Sequence, residues 1–176
     1  QTLFLWWNLK YFYNSIKFTF MMYPDLYYKV SDFKIKEKHG KFYIFDDIRK
    51  KFVVFTEEEW VRQNFVKYLT MKKGYREGLI GIEKSTKYNL QKKRMDIVAY
   101  NNSAEPILIV ECKSFSKPLT KEVLNQVASY NYSLKAPFLS ITNGLSKFVL
   151  EVDYSKNKIE LVDDIPEYKN FEKLWA

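Results

Sequence analysis

One cysteine, one histidine, five glycines and no acidic residue before Asp25 are the scarcities of this 176-residue chain. Cys112 alone can make no internal disulfide, so a disulfide framework is excluded and a reducing compartment, most simply the cytoplasm, is expected. His39 stands beside Gly40 and reads as a solvated loop residue, and no cluster of zinc ligands exists. The glycines at 40, 74, 78, 81 and 144 nowhere form G-x-x-x-x-G-K-[ST], which excludes an ATP-driven translocase within these residues. No internal repeat and no Pro- or Ser-rich linker divides the chain, so one domain over residues 21–176 is the expectation. The acid-free opening, QTLFLWWNLKYFYNSIKFTF, resembles a membrane segment in hydropathy, but Asn8, Lys10, Asn14, Ser15 and Lys17 interrupt it and no small-residue cleavage site follows. Its composition is what translated AT-rich upstream sequence gives, which makes Met21 or Met22 a candidate start, so residues 1–20 are read as a tail of doubtful origin and no membrane span is expected.

What is present describes a folded, basic protein. Hydrophobic residues make up 47% and charged residues 28%, ordinary for a globular chain, while aromatics at 18% are abundant. Lysine and arginine number 29 against 21 acids, a net charge of +8 that favours anionic partners, nucleic acid or a lipid surface. FKIK (33–36), KFYIF (41–45) and KFVVF (51–55), separated by His39-Gly40 and Asp46-Asp47, predict a small antiparallel meander. TEEEWVRQNFVKYLTMKKG predicts a helix: Thr56 caps it, three glutamates meet the positive end of the dipole, and Trp60, Val61, Phe65, Tyr68 and Leu69 form one apolar face. A strand region through Gly78–Ile82 leads into the basic stretch KSTKYNLQKKR. Further on, LTKEVLNQVASYNYSLKA predicts a second helix capped by Thr120, with Val123, Gln126, Val127 and Tyr130 on one face. FLSIT, KFVLEVDY and KIELV close the chain as strands, so the whole predicts an α/β (α+β) domain with a mixed central sheet.

The chemistry concentrates in MDIVAYNNSAEPILIVECK, residues 95–113. IVAY (97–100) and ILIVECK (107–113) are strands joined by turn formers, and a symmetric hairpin centred on Ser103 and Ala104 sets Asp96 opposite Glu111. Alternation puts Glu111 and Lys113 on one face with Ile109, while Cys112 and Val110 take the other. Opposed side chains start about 4.5 to 5.5 Å apart, so two carboxylates would face each other beside an ammonium. A hard divalent cation relieves that repulsion, retains water and accepts phosphate oxygens, and the lysine would orient or help deprotonate an attacking water. The bland reading is a strand-start aspartate and a same-face Glu–Lys surface pair; against it, surface pairs seldom interrupt a run such as ILIV, whose content suits burial on both faces.

Asp96 followed by Glu111-Cys112-Lys113 resembles the core motif of the PD-(D/E)xK nuclease superfamily. IFDDIRKKFVVFTEEEWVRQ, MDIVAY, ILIVECKS, LTKEVLNQVASYN and SITNG together resemble stand-alone proteins named for the N-terminal nuclease domain of type I restriction enzyme R subunits, over about residues 24 to 168. The resemblance implies a restriction-endonuclease-like sheet flanked by helices and Mg²⁺-dependent hydrolysis of DNA, with Mn²⁺ able to substitute, in restriction, repair or mobile-element defence. It implies Asp96 and Glu111 as metal ligands with the Cys112 backbone carbonyl beside them, Lys113 as the catalytic lysine, and a helix glutamate near the metal. Glu58, three residues before core-facing Val61, is the choice and Glu59 the rival; dipole compensation is their other explanation. Gln126 and Tyr130 resemble a Gln-x-x-x-Tyr element that supports the site or contacts substrate, or else form a packed helix face. Lys92, Lys93 and Arg94 read either as phosphate contacts or as a solvated loop. Two other readings stay open: a catalytically weak nucleic-acid-binding module that needs a protein partner, such as a translocase or specificity subunit, and a membrane-surface protein anchored by the aromatic N terminus.

Overall fold

The strand and turn chemistry of the first described segment builds a small sheet. β1 (Ile35–Lys38), β2 (Lys41–Asp46) and β3 (Lys51–Val54) pair antiparallel in chain order. His39 and Gly40 both take left-handed backbone conformations, φ 53° and 71°, as a two-residue hairpin turn between twisted strands requires. The only histidine is thus part of the turn itself. The computed structural model describes residues 23–26, 28, 33–88 and 91–174, and the side chains of these except at 85–88, 91–93, 130 and 172–174. The expected tail, residues 1–20, lies outside the described residues.

α1 (Glu57–Lys72) starts where the sequence says it should, with the Thr56 hydroxyl accepting the Glu59 amide at 3.1 Å. Its apolar stripe is buried throughout: Trp60, Val61, Phe65, Tyr68 and Leu69. Then follow β4 (Ile80–Tyr88), β5 (Gln91–Tyr100), β6 (Pro106–Cys112), α2 (Lys121–Leu134), β7 (Phe138–Thr142), β8 (Lys147–Asp153), β9 (Lys158–Val162) and α3 (Tyr168–Leu174). Strands β4 to β9 form one sheet in chain order. Every neighbouring pair is antiparallel except β6 and β7, because α2 lies between them in the chain and carries it back to the same end.

The basic stretch before Asp96 is not a loop. Lys87 pairs with Lys92, Thr86 with Lys93 and Ser85 with Arg94, so the described parts of KSTKYNLQKKR, 84–88 and 91–94, are paired strand. Lysines at strand positions hide the apolar alternation by which strands are recognised, while the backbone pairing runs on past the core.

The large sheet is covered on both faces. Ile97, Ala99, Val110 and Cys112 pack with Val61, Phe65 and Leu69 of α1 and with Ile44 of the small sheet. Val98, Ile109, Leu139 and Ile141 pack on the other side with Val127 of α2. Leu108, Ile109, Val110 and Cys112 of β6 are fully buried, which explains why ILIV carries no polar alternation. Among the described residues no helix is long and apolar enough to cross a membrane.

Candidate active site

The β5–β6 hairpin keeps the register that its symmetric turn predicts. Ile97 pairs with Val110, Val98 with Ile109 and Ala99 with Leu108; a bulge at Ala99/Tyr100 shifts only the loop end. The pairing stops at Ile97 and Val110, so Asp96 and Glu111 stand one step beyond it. Instead of continuing the ladder, Asp96 uses its side chain: Oδ2 accepts the backbone N–H of Cys112 at 2.7 Å. On its other side β6 pairs with β7, and the Lys113 amide donates to the Thr142 carbonyl at 2.8 Å. The end of β6 is therefore held between a carboxylate and a strand.

Glu111 and Lys113 share a face, as alternation requires. Lys113 Nζ donates to Glu111 Oε1 at 2.7 Å, and Gln126 Nε2 of α2 donates to the same oxygen at 3.0 Å. Both carboxylates are buried, Asp96 with 6% and Glu111 with 5% of its surface exposed. Burial, followed by the neighbouring Asp96 charge, pushes the Glu111 carboxyl up to about 7, against the pull of the Lys113 hydrogen bond. Burial works against the Lys113 charge, but its bond to Glu111 and the surrounding acids outweigh this and raise its pKa. Lys113 is a firmly held ammonium here.

The helix glutamates divide their duties. Glu58 Oε1 accepts from Arg62 at 3.1 Å, and its charge is felt at both Glu111 and Lys113. Glu59 is buried and takes Arg49 at 2.9 Å, Gln63 at 2.7 Å and Arg62. Glu57, beyond its place at the positive helix end, accepts hydroxyls from Ser114 and Ser116, which lower its pKa and tie the helix start to the loop after Lys113. Gln126 reaches Glu111 from α2. The Tyr130 side chain and those of Lys92 and Lys93 lie outside the described residues; Arg94 is exposed and pairs with Glu83 at 3.3 Å.

A family model for the N terminus of the type I restriction enzyme R protein matches residues 57–166. The chain belongs to this family. Among solved structures, this chain is similar to a fragment described as the HsdR subunit of a type I restriction enzyme from Vibrio vulnificus YJ016, with a TM-score of 0.50 and 21% identity. That likeness covers 68% of this chain and 25% of the solved one, and it shows the fold, a restriction-endonuclease-like mixed sheet flanked by helices. No curated protein matches. The family match starts at Glu57, so the small sheet, which the resemblance in sequence took in, lies outside it.

Arg62 is the member of the candidate site that sequence reasoning missed. Only 4% of its side chain is exposed, and it pairs with Asp96 Oδ1 at 3.1 Å besides Glu58 and Glu59. Burial opposes its charge, but Asp96 and Glu59 more than compensate and raise its pKa. Its spacing from Glu58 and Glu59 is readable on a helix; the link to Asp96, thirty-four residues on, is not.

Among the described residues no group of three or more His, Cys, Asp or Glu side chains is arranged to hold a metal ion. The donors present nonetheless fit a hard divalent cation in kind. Two buried carboxylates repel each other, and carboxylate oxygens are the donors that such a cation takes.

Proposed function

We propose that this chain hydrolyses DNA phosphodiester bonds in a Mg²⁺-dependent, PD-(D/E)xK-type reaction, with Mn²⁺ able to substitute. The observation that carries the reading is the convergence of Asp96, Glu111 and Lys113 at the end of β6, where the Glu111 carboxyl is destabilised as an anion by burial and by Asp96. Asp96, Glu111 and the Cys112 carbonyl would hold the cation, with Glu58 near enough to act on the same charges. A bound Mg²⁺ would supply charge stabilisation at the phosphate and a water that is nucleophilic near neutral pH. Lys113, held as an ammonium, orients that water or a phosphate oxygen and offsets developing negative charge, rather than serving as a base in the resting site. Gln126, donating to Oε1, helps to fix the Glu111 carboxylate. The net charge of +8 and the family's name support DNA as the substrate and a translocase or specificity subunit as the protein partner, in restriction or a related defence.

The test is incubation of purified protein with linear, supercoiled and single-stranded DNA in Mg²⁺, Mn²⁺ or EDTA. Cleavage in either metal that disappears in EDTA and in Lys113→Ala is the expected result. No cleavage of any of the three, together with Asp96→Ala leaving metal-dependent thermal stability unchanged, overturns the reading. A second reading, a nucleic-acid-binding module that cuts only with a partner, is favoured by one observation: the Arg62 guanidinium already balances the Asp96 charge.

A further inference from the structure

A chain of ion pairs runs from the small sheet to the candidate site. Asp46, at the end of β2, is fully buried; its Oδ1 accepts the Ile48 and Arg49 amides at 2.8 and 2.7 Å, and its Oδ2 takes the Arg49 side chain. Arg49 reaches out of that turn to Glu59 at 2.9 Å and to Glu83 at 2.5 Å. Glu59 holds Arg49 and Gln63 on one oxygen and Arg62 on the other. Arg62 holds Asp96, and Asp96 holds the Cys112 amide. Each carboxylate in the line is shared between at least two donors, so none can turn without disturbing the next.

We infer that Arg62 and Arg49 are positioning residues, which orient Asp96 through Glu59 and so make the turn of the small sheet part of the site's framework. The inference rests on the reading of Asp96 as a site carboxylate. Its physical basis is the position of Arg62 among the acids. The Nε of Arg62 is buried with no hydrogen-bond partner among the described residues, so only the acids on its two terminal nitrogens set the guanidinium plane. Arg49 pairs with Asp46, Glu59 and Glu83 rather than with Asp96 or Glu111, and it sits outside the segment that matches the family. If it matters to the site, it acts at a distance, through Glu59. Buried, shared ion pairs of this kind act as a unit, so removals along one line should not add.

The Cys112 amide gives a readout that needs neither metal nor DNA, because its partner is the Asp96 side chain. Hydrogen exchange at Cys112 is measured against Ile109, in the middle of the same strand, in the metal-free full chain. In Arg49→Met, exchange at Cys112 should quicken by about tenfold relative to Ile109, the size expected when one hydrogen bond to a charged group is loosened. Arg49→Lys should restore part of the protection. Arg62→Met should show a larger effect, and the double variant no more than Arg62→Met alone. Equal quickening at both amides in Arg49→Met, which marks global destabilisation only, or unchanged Cys112 protection, overturns the inference; so does simple additivity. Should Arg62→Met fail to fold, the Arg49 pair decides alone. Failure of the nuclease reading is separate: wild-type protein would cleave nothing while the exchange pattern still held.

Discussion

Asp96 and Cys112 meet side chain to backbone: the Cys112 N–H donates to Asp96 Oδ2 at 2.7 Å, just past the last paired residues, Ile97 and Val110. The sheet opens there without stranding a buried donor, which would cost about 1–3 kcal/mol. Asp96 thereby has one oxygen spent on the fold and the other on Arg62. Engaging a cation means redistributing the second.

Asp96→Asn should separate these duties, since asparagine can still accept from Cys112 but no longer balances Arg62. Losing one side of a buried pair costs about 3–5 kcal/mol, and the lower end is expected because Glu58 and Glu59 remain. Urea denaturation measures that loss. The thermal upshift produced by Mg²⁺ or Mn²⁺ should vanish along with cleavage, and a persisting upshift would remove Asp96 from the ligand set.

Lys113→Met should leave cation binding intact and lower the single-turnover cleavage rate by about 10²–10⁴-fold, the range for a positioned proton-transfer or charge-stabilising group. Isothermal titration with Ca²⁺, as a cation that need not support cutting, checks the binding half. Loss of binding in parallel with rate would make Lys113 a structural partner of Glu111 and no more.

Glu111 should make the metal-free protein lose stability as pH rises. Its folded pKa, about 7, lies above the ordinary 4.5, so its contribution is fully present below about 4.5 and disappears as pH climbs through about 7. The shift corresponds to roughly 3 kcal/mol at most. Thermal unfolding in EDTA should show a falling midpoint across that window, flattened in Glu111→Gln. With Mg²⁺ added, stabilisation should instead grow over the same window, because the cation takes the ionised carboxylate. An unaltered slope in Glu111→Gln would assign the titration elsewhere.

Gln126→Leu removes one of the two donors on Glu111 Oε1 while keeping the apolar body of the side chain. Stability should fall by about 1 kcal/mol and cleavage by about tenfold. Lower stability with unchanged cleavage would identify Gln126 as a packing residue of the α2 face.

Much of the site's frame was legible from local rules. Thr56 caps α1, His39-Gly40 turns a hairpin, Glu111 and Lys113 share a face, and the turn formers at 101–105 set a register that holds through Ile97, Val98 and Ala99. All of these follow from backbone periodicity and turn chemistry, which involve residues close in the chain. The lysine-rich end of the β4–β5 hairpin escaped, because its charges erase the alternation that marks a strand.

The sequence by itself determined that two acids and a lysine would stand at the end of one hairpin, because alternation and register are properties of the local backbone. Only the tertiary structure decided which cations and donors meet them. Arg62 reaching Asp96, Gln126 reaching Glu111 and Arg49 reaching Glu59 each join separate elements. Those contacts depend on how α1, α2 and the small sheet are rotated and seated against the large sheet. Burial does the rest: without the layers around it Glu111 would be an ordinary carboxylate, and packed between them it holds its proton to about pH 7.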